Sequence, residues 1–252
     1  MTKALLPVGN SSSGYKRGVY SDWHYTICTD KGLVKQANED RVGFIVKNNL
    51  ARFVVADGHW GSRAAQMVAE YWLSLKRAPD SITGSILENR KLESSLYKEW
   101  GVKLMDEDSD LTPEAGFVSL ELLDNGRVRI ISYGDCRAIV IRDGRIIFEL
   151  EQSDSWLGAF SSLGLRARLS VDEATKFSEI KLSTGDTVIL FSDGIDECVY
   201  GRPTIPLDKF AKYSKASRSA DELSRRLIDE VIKKGAEDNY SMAVLRYTPN
   251  DD

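Results

Sequence analysis

The sequence predicts a layered α+β domain in which an antiparallel sheet packs against a second sheet or against helices. Short runs of branched and aromatic residues recur along the chain and predict strands. The turn sequences Asp124-Asn125-Gly126 and Asp143-Gly144 join neighbouring runs as hairpins, because these residues tolerate the positive φ that tight turns require. Helical periodicities occupy separate segments, and antiparallel strands with segregated helices define the α+β class.

Three helices are predicted from apolar periodicity and capping residues. One lies near residues 62–76 and carries a single apolar stripe, and a second lies near residues 85–100 and is expected to pack beside the first. The third, at residues 221–234, begins with a capping box formed by Ser219 and Glu222. Eight strands are predicted at residues 42–46, 52–56, 116–123, 128–133, 137–141, 145–150, 187–191 and 241–247.

The composition is that of one globular domain. The 252 residues are 42% hydrophobic and 29% charged, which excludes disordered, collagen-like and coiled-coil chains. We treat residues 1–252 as a single domain, in which residues 1–20 form a flexible lead or an irregular edge. The net charge of −4 provides no positive field for nucleic acid or for an anionic membrane. No apolar run approaches about 20 residues, the length that a membrane-spanning helix needs.

The cysteines predict a reducing compartment. Cys28, Cys136 and Cys198 are odd in number and include no C-x-x-C pair, so they fit buried or idle thiols better than a disulfide framework or a zinc site. The N-terminal apolar step is too brief for a signal peptide. We therefore expect a cytoplasmic protein.

Acidic residues lie at the ends of the predicted strands. Asp57 and Asp193 each follow an apolar strand and precede a glycine, whereas Glu39-Asp40 and Asp238 precede strands. If these strands are antiparallel neighbours, the carboxylates meet at one rim, where they repel one another unless a cation neutralises them. Mg²⁺ and Mn²⁺ prefer oxygen ligands, and a glycine after the aspartate allows a backbone carbonyl to approach the metal closely.

The alternative for each of these positions is a turn. Asp-Gly is first of all a turn dipeptide, and a single pair is more often a plain turn than a metal site. For Asp135, which follows the strand at residues 128–133, we retain the turn interpretation and expect it to cap the turn before Cys136.

The order of these motifs resembles that of bacterial metal-dependent protein phosphatases of the protein phosphatase 2C type. The segment from Thr29 to Arg41, which contains Asn38-Glu39-Asp40, is similar to the opening motif of that family. Together the motifs are specific, and the resemblance spans residues 22–247. The later motifs follow in the family's order: Ala56-Asp57-Gly58-His59, Tyr133-Gly134-Asp135-Cys136-Arg137-Ala138, Ser192-Asp193-Gly194 and Glu237-Asp238-Asn239.

The resemblance implies a four-layer αββα sandwich of two antiparallel sheets flanked by helices, with two Mn²⁺ or Mg²⁺ ions at one edge. It implies that Asp57 bridges both ions, that Glu39 and the Gly58 carbonyl hold one, and that Asp193 and Asp238 hold the other. The implied reaction is hydrolysis of phosphoserine and phosphothreonine monoesters by attack of a metal-bridging water.

The resemblance also implies roles for three neighbouring residues. Asp40 orients the metal-bound waters. His59 is the general acid that protonates the departing serine or threonine oxygen, with a hydrogen-bonded rim histidine as the alternative. Asn239 shapes the turn that presents Asp238.

Three departures from the family pattern bear on the substrate site. Lys35 stands where the family usually has a phosphate-binding arginine; we expect it to bind phosphate as a point charge, with a solvated surface lysine as the alternative. Trp60 stands where a glycine is common, and we expect a core or helix-start anchor rather than a substrate contact. Pro113 opens a stretch that replaces the family's small residues. Asp110 and Glu114 are only neighbours of the aspartate that binds a third metal in some members, which makes a third metal doubtful.

The implied partners are phosphorylated proteins and a cognate serine/threonine kinase. Residues 152–177, including Trp156, are expected to form a substrate-facing loop. The oligomeric state is undecided, with a monomer favoured. Two other functions stay open: a catalytically silent relative that binds a phosphopeptide or a partner, and a two-metal phosphodiesterase or nuclease. The intact acids argue against the first, and the acidic charge balance argues against the second.

Overall fold

Two six-stranded antiparallel sheets stack face to face in the computed structural model, which describes residues 1–7, 11–47, 49–100, 114–150, 170–199 and 202–249. The first sheet has the strand order β1-β4-β5-β6-β7-β10, and the second has the order β2-β3-β12-β11-β8-β9. The strands are β1 (Thr2–Leu6), β2 (Ser13–Tyr20), β3 (Trp23–Asp30), β4 (Arg41–Lys47), β5 (Leu50–His59), β6 (Glu114–Leu122), β7 (Arg127–Tyr133), β8 (Arg137–Arg142), β9 (Arg145–Glu149), β10 (Thr175–Lys181), β11 (Thr187–Phe191) and β12 (Tyr240–Tyr247).

Helices cover the outer face of each sheet. The first sheet packs against α1 and α2, and the second packs against α4 and α5. This arrangement confirms the predicted α+β class and the four-layer αββα sandwich. The helices are α1 (Arg63–Ser74), α2 (Ile82–Trp100), α3 (Val171–Ala174), α4 (Leu207–Ala216) and α5 (Ala220–Lys234).

The central strands are apolar without alternation because both of their faces are buried. In β5, Phe53 and Val55 point into the core between the sheets, whereas Val54 and Ala56 contact the layer of α1. All four side chains are inaccessible to solvent. Burial of a Val or Phe side chain contributes about 1.5–3 kcal/mol to folding free energy. This strand and its neighbours therefore hold the residues at their ends in fixed positions.

The ends of α5 show how local sequence sets a helix boundary. The Ser219 side chain accepts a hydrogen bond from the Glu222 backbone N–H at 3.1 Å, which is one half of the predicted capping box. The Glu222 carboxylate accepts from the Arg218 N–H instead of the Ser219 N–H. The helix is followed by Gly235, whose φ is 123°. Glycine adopts this backbone conformation readily, whereas other residues are strained in it.

Of the two expectations for residues 1–20, an edge and not a flexible lead fits the described residues, which contain two strands. Thr2–Leu6 pairs with β4, and Ser13–Tyr20 pairs with β3, each as an edge strand. Five of the eight residues of β2 are exposed, including Lys16 and Arg17, and two are glycines, which is why the strand carries no apolar signal. The other elements that the sequence analysis missed are β3, β10, α3 and α4.

The segment expected to be a loop at residues 152–177 is only partly within the described residues. Its C-terminal portion contains α3 and the start of β10, which is a correction to the loop prediction. Trp156 lies outside the described residues. Among the helices that are described, none is both long and apolar enough to cross a membrane.

Candidate metal centre and active site

The acidic strand ends meet at one edge of the sandwich, as predicted. Arg41 at the start of β4 pairs with Ala56 near the end of β5, so Asp40 lies beside Asp57. In the second sheet, Phe191 at the end of β11 pairs with Met242 near the start of β12, which brings the segments of Asp193 and Asp238 together. The stacking of the sheets then places both pairs of acids at the same rim.

Asp57 lies at the centre of this carboxylate cluster. Its side chain is within hydrogen-bond reach of both Asp40 and Asp193. Burial raises the pKa of Asp57 well above its ordinary value, and the charges of Asp40, Asp193, Asp135 and Asp238 raise it further. Burial and the charges of its neighbours raise the pKa of Asp193 in the same way. Negative charge is therefore concentrated at this rim, where each carboxylate makes ionisation of its neighbours less favourable.

Asp40 is held by a buried polar network. Its Oδ2 accepts a hydrogen bond from Ser192 Oγ at 2.8 Å, and its backbone N–H donates to Asn38 Oδ1 at 3.1 Å. Ser192 Oγ in turn accepts from the Ser241 N–H at 2.9 Å. Burial raises the pKa of Asp40 to about 6, while the hydrogen bond from Ser192 opposes that rise. Asp40 Oδ1 is buried with no hydrogen-bond partner, and it is free to accept from a ligand or a water.

The two Asp-Gly pairs are explained by close backbone approach. A Cβ on Gly58 would lie 2.4 Å from the Glu39 carbonyl oxygen, and a Cβ on Gly194 would lie 1.9 Å from the Asn239 carbonyl oxygen. Neither glycine has a positive φ. Any side chain at these positions would push apart the segments that carry Glu39 and Asp238. These glycines therefore allow the acidic segments to converge, and a plain turn does not account for them.

Asn239 joins the two acidic loops to each other. Its Oδ1 accepts from the Glu39 backbone N–H at 2.8 Å, and its Nδ2 donates to the carbonyls of Lys31 and Ala37 at 2.9 Å. Its own N–H donates to Asp238 Oδ1 at 2.7 Å. Asn239 thus shapes the turn at Asp238, as expected, and also fixes the loop that carries Glu39.

We expect Asn239→Ala to weaken Mn²⁺ binding about 10- to 100-fold, because residues that orient metal ligands have effects of that size. Titration of the purified protein with Mn²⁺ measures this. Asn89→Ala is the control, because Asn89 is equally buried but bonds Thr175. Equal weakening in both variants would contradict a specific role for Asn239.

His59 and Lys35 supply the basic side chains expected at the rim. His59 Nε2 lies 3.8 Å from Asp57 Oδ1, and its side chain is partly exposed. Lys35 Nζ lies 2.9 Å from Asp238 Oδ1. Burial alone would lower the pKa of Lys35, but the hydrogen bond and charge of Asp238, with Glu39 and Asp57 nearby, raise it above the ordinary value. Lys35 is therefore a firmly charged cation beside the acids.

Two further carboxylates belong to this region and were not predicted as part of it. The Asp135 carboxylate accepts from its own N–H and that of Cys136, which is the predicted turn cap; burial raises its pKa and the nearby His59 lowers it. Burial and the charges of Asp135 and Asp238 raise the pKa of Glu197. The Glu197 N–H donates to the Asp193 carbonyl at 2.7 Å, which places Glu197 one helical turn after Asp193. This spacing of four residues is the sequence signal that could have identified Glu197.

Trp60 corrects one expectation. It is 58% exposed and does not anchor the core, and its φ of 62° lies in the left-handed region that is costly for a tryptophan. It immediately follows His59, so a large ring stands at the rim of the site. Glu114 is buried opposite His59 in the register of β5 and β6. Asp110 and Pro113 lie outside the described residues.

The donor set fits hard divalent cations. It consists of carboxylates and backbone carbonyls, which are the ligands that Mg²⁺ and Mn²⁺ prefer. Within the described part of the chain, no three His, Cys, Asp or Glu side chains already converge around one point. Asp40 instead accepts from Ser192, and Asp238 pairs with Lys35. The mutual repulsion of the carboxylates and the unpartnered Asp40 Oδ1 are the features that bound cations would relieve.

Comparisons with known proteins agree with the fold and the motifs. The family model described as stage II sporulation protein E (SpoIIE) matches residues 108–248. The serine/threonine phosphatase stp of Listeria welshimeri is 24% identical over 249 residues, which cover 88% of this chain and 95% of that protein.

Two solved structures share the fold. The serine/threonine phosphatase of S. agalactiae superimposes with a TM-score of 0.70 at 16% identity, covering 89% of this chain and 99% of that one. The catalytic domain of the serine/threonine protein phosphatase PstP, solved with two manganese ions, gives a TM-score of 0.67 at 18% identity and covers 90% of this chain and 98% of that one. The SpoIIE match takes in more than half of the chain. The chain therefore belongs to the SpoIIE family and is a serine/threonine phosphatase domain of the metal-dependent protein phosphatase 2C type, as its motifs predicted.

Proposed function

We propose that this chain releases phosphate from phosphoserine and phosphothreonine residues of proteins, using two divalent cations held at the acidic rim. The observation that carries this proposal is the carboxylate cluster in which Asp57 reaches both Asp40 and Asp193. A cluster of this kind is unfavourable for the protein alone, and its oxygen donors match the cations used for phosphoester hydrolysis.

Each acid has a proposed place in the site. Asp57 would hold both cations, Glu39 and the Gly58 carbonyl would hold the first, and Asp193 and Asp238 would hold the second. When bound, two such cations lower the pKa of a shared water and neutralise charge on the phosphoryl group. Asp40 keeps one carboxylate oxygen on Ser192 and directs the other at the site, where it accepts a hydrogen bond from water.

His59 is placed to donate a proton to the leaving oxygen. Its ring borders Asp57 and is partly open to solvent, so a phosphorylated side chain reaches it from outside. Such a proton transfer typically contributes 10²–10⁴-fold to the rate.

Lys35 is proposed to bind the substrate phosphate, and we expect Lys35→Ala to raise KM for a phosphopeptide about tenfold, the equivalent of about 1.4 kcal/mol. Lys35→Arg should retain most of the affinity because it keeps the charge. Steady-state kinetics at saturating Mn²⁺ separate this effect from any change in metal binding through Asp238. Unchanged kcat and KM in Lys35→Ala would show that Lys35 is a solvated surface lysine.

The substrates, partners and location follow from this proposal. The proposed ions are two Mn²⁺ or Mg²⁺, and a third metal is not proposed. The proposed partners are phosphorylated proteins and the serine/threonine kinase that produces them, with the enzyme acting as a monomer. A cytoplasmic location is supported by the three cysteines, which are buried and form no disulfide.

The test is phosphate release from a phosphothreonine peptide with Mn²⁺, with Mg²⁺ and with chelator. We expect turnover that requires a cation and is lost in Asp193→Asn, while the Lys35 variants above keep measurable turnover. A folded protein that binds Mn²⁺ but turns over no phosphomonoester would favour the silent binding module instead. Hydrolysis of a phosphodiester and not a monoester would favour the phosphodiesterase or nuclease; none of the comparisons above points to either.

A further inference from the structure

A cleft lies at one end of the first sheet. This end is the one farther from the acidic rim. Its volume is about 860 Å³, and it lies between the sheet and the helical layer of α1 and α2. Leu50, which lines the cleft, is seven residues before Asp57 on the same strand, which corresponds to about 23 Å. This cleft is therefore separate from the site described above.

The charge of the cleft is opposite to that of the chain. The chain carries a net charge of −4, yet cationic side chains outnumber acidic ones in the cleft lining. The acidic lining residues are Asp80, Glu88, Glu121 and Asp124. The cationic lining residues are Lys47, Lys76, Arg77, Lys91, Arg127 and Arg129.

Ion pairs with carboxylates neutralise only some of the cationic side chains in the cleft lining. Lys91 pairs with Glu88 at 2.6 Å, and Arg127 and Arg129 share Glu179, at 3.0 and 3.1 Å. Glu121 forms an ion pair with the fully buried Arg52.

Three lining cations have no carboxylate partner among the residues that the structure describes; they are Lys47, Lys76 and Arg77. Two of them, Lys76 and Arg77, are adjacent on the exposed loop between α1 and α2. These cations are available to a ligand.

A buried network holds the wall that presents these two cations. Arg52 Nη1 donates to the Leu75 carbonyl at 2.9 Å, and the Ala78 N–H donates to Glu121 Oε2 at 2.8 Å. Arg129 Nη1 donates to the Ala78 carbonyl at 3.1 Å, and its Nε is buried with no hydrogen-bond partner. The backbone on both sides of Lys76 and Arg77 is therefore fixed before any ligand arrives, which reduces the entropy cost of binding.

We propose that this cleft binds a small polyanion with two or more phosphate or carboxylate groups. Several cations spread over its walls suit more than one anionic group, and the volume is within the range of small-molecule sites. No aromatic side chain is among the described residues that line it, so a ligand recognised through ring stacking fits less well. The proposal does not depend on the phosphatase activity.

The test is calorimetric titration of the metal-free, chelator-free full chain with inorganic tripolyphosphate. Without metal, the acidic rim repels this probe, so binding there does not interfere. The variant Lys76→Glu/Arg77→Glu reverses two cations of the cleft. The control Arg145→Glu/Lys234→Glu makes the same change in net charge at exposed positions of β9 and α5, away from the cleft. Thermal unfolding of each variant verifies folding.

We expect one saturable site in the wild type, weakened at least about tenfold in Lys76→Glu/Arg77→Glu and little changed in the control. Pyrophosphate and inorganic phosphate should bind progressively more weakly, because they engage fewer cations. Absence of saturable binding at millimolar tripolyphosphate would overturn the proposal. Equal weakening in both double variants would also overturn it, because the effect would then come from overall charge.

Discussion

Replacing Asp57 with asparagine is expected to lower kcat for a phosphothreonine peptide by about a thousandfold or more. Asp57 is the carboxylate that reaches both Asp40 and Asp193, so its loss affects both proposed cation positions. Stabilisation of transition-state charge by metal ions is worth several kcal/mol, and each 1.4 kcal/mol corresponds to about a tenfold change in rate. Phosphate release at saturating Mn²⁺ measures the effect. Asp229→Asn, at an exposed position of α5, is the matched control.

The same substitution should stabilise the metal-free protein. Asp57 is buried among carboxylates that raise its pKa, so at neutral pH its charge is held at a cost in folding free energy. Asparagine removes that charge in nearly the same volume. The melting temperature without metal should therefore be higher for Asp57→Asn than for the wild type, and the rise on adding Mn²⁺ should be smaller. Full Mn²⁺-dependent turnover by Asp57→Asn would rule out its proposed role.

Replacing Glu121 with alanine is expected to cost about 3–5 kcal/mol of folding free energy. Glu121 pairs with Arg52, whose side chain is fully buried, so the variant leaves a buried guanidinium without its counter-charge. Glu121 also accepts from the Ala78 N–H, which loses its partner. Urea unfolding measures the loss.

Two comparisons make this stability prediction specific. The double variant Arg52→Met/Glu121→Leu should recover much of the stability, because it removes both charges and keeps the volume. Asp208→Ala should leave the unfolding midpoint close to that of the wild type, since its pair with Lys212 is exposed. If Glu121→Ala unfolds at the wild-type urea concentration, the buried pair does not hold the two layers together.

Most of the strands that were predicted from sequence are buried on both faces; the edge strand β9, which the Asp143-Gly144 hairpin indicated, is the exception, and the largely buried β3 was missed. Residues such as Phe53, Val54 and Val55 are apolar without interruption because the sheet lies between another sheet and a helical layer. The edge strand β2 escaped prediction because it contains two glycines and the charged Lys16 and Arg17, and because its pairing with β3 is made by the backbone. Backbone pairing at an edge carries little signal in side-chain pattern.

The acidic rim was predictable in part for a topological reason. Asp57 lies near the end of a strand and Asp193 follows one, while Asp40 and Asp238 precede strands, and antiparallel pairing brings such positions together. Glu197 depends on the path of the chain after Asp193, and the exposure of Trp60 depends on a left-handed backbone conformation. Neither follows from residue type or periodicity, so these features required the structure.

We propose that the carboxylates around Asp57 form a site for two divalent cations. The most direct test is the number of Mn²⁺ ions bound per chain, measured by equilibrium dialysis with metal analysis at saturating Mn²⁺. We predict two ions for the wild type and fewer than two for Asp57→Asn. A wild-type chain that is folded and binds no Mn²⁺ at millimolar concentration would contradict the proposed two-cation site.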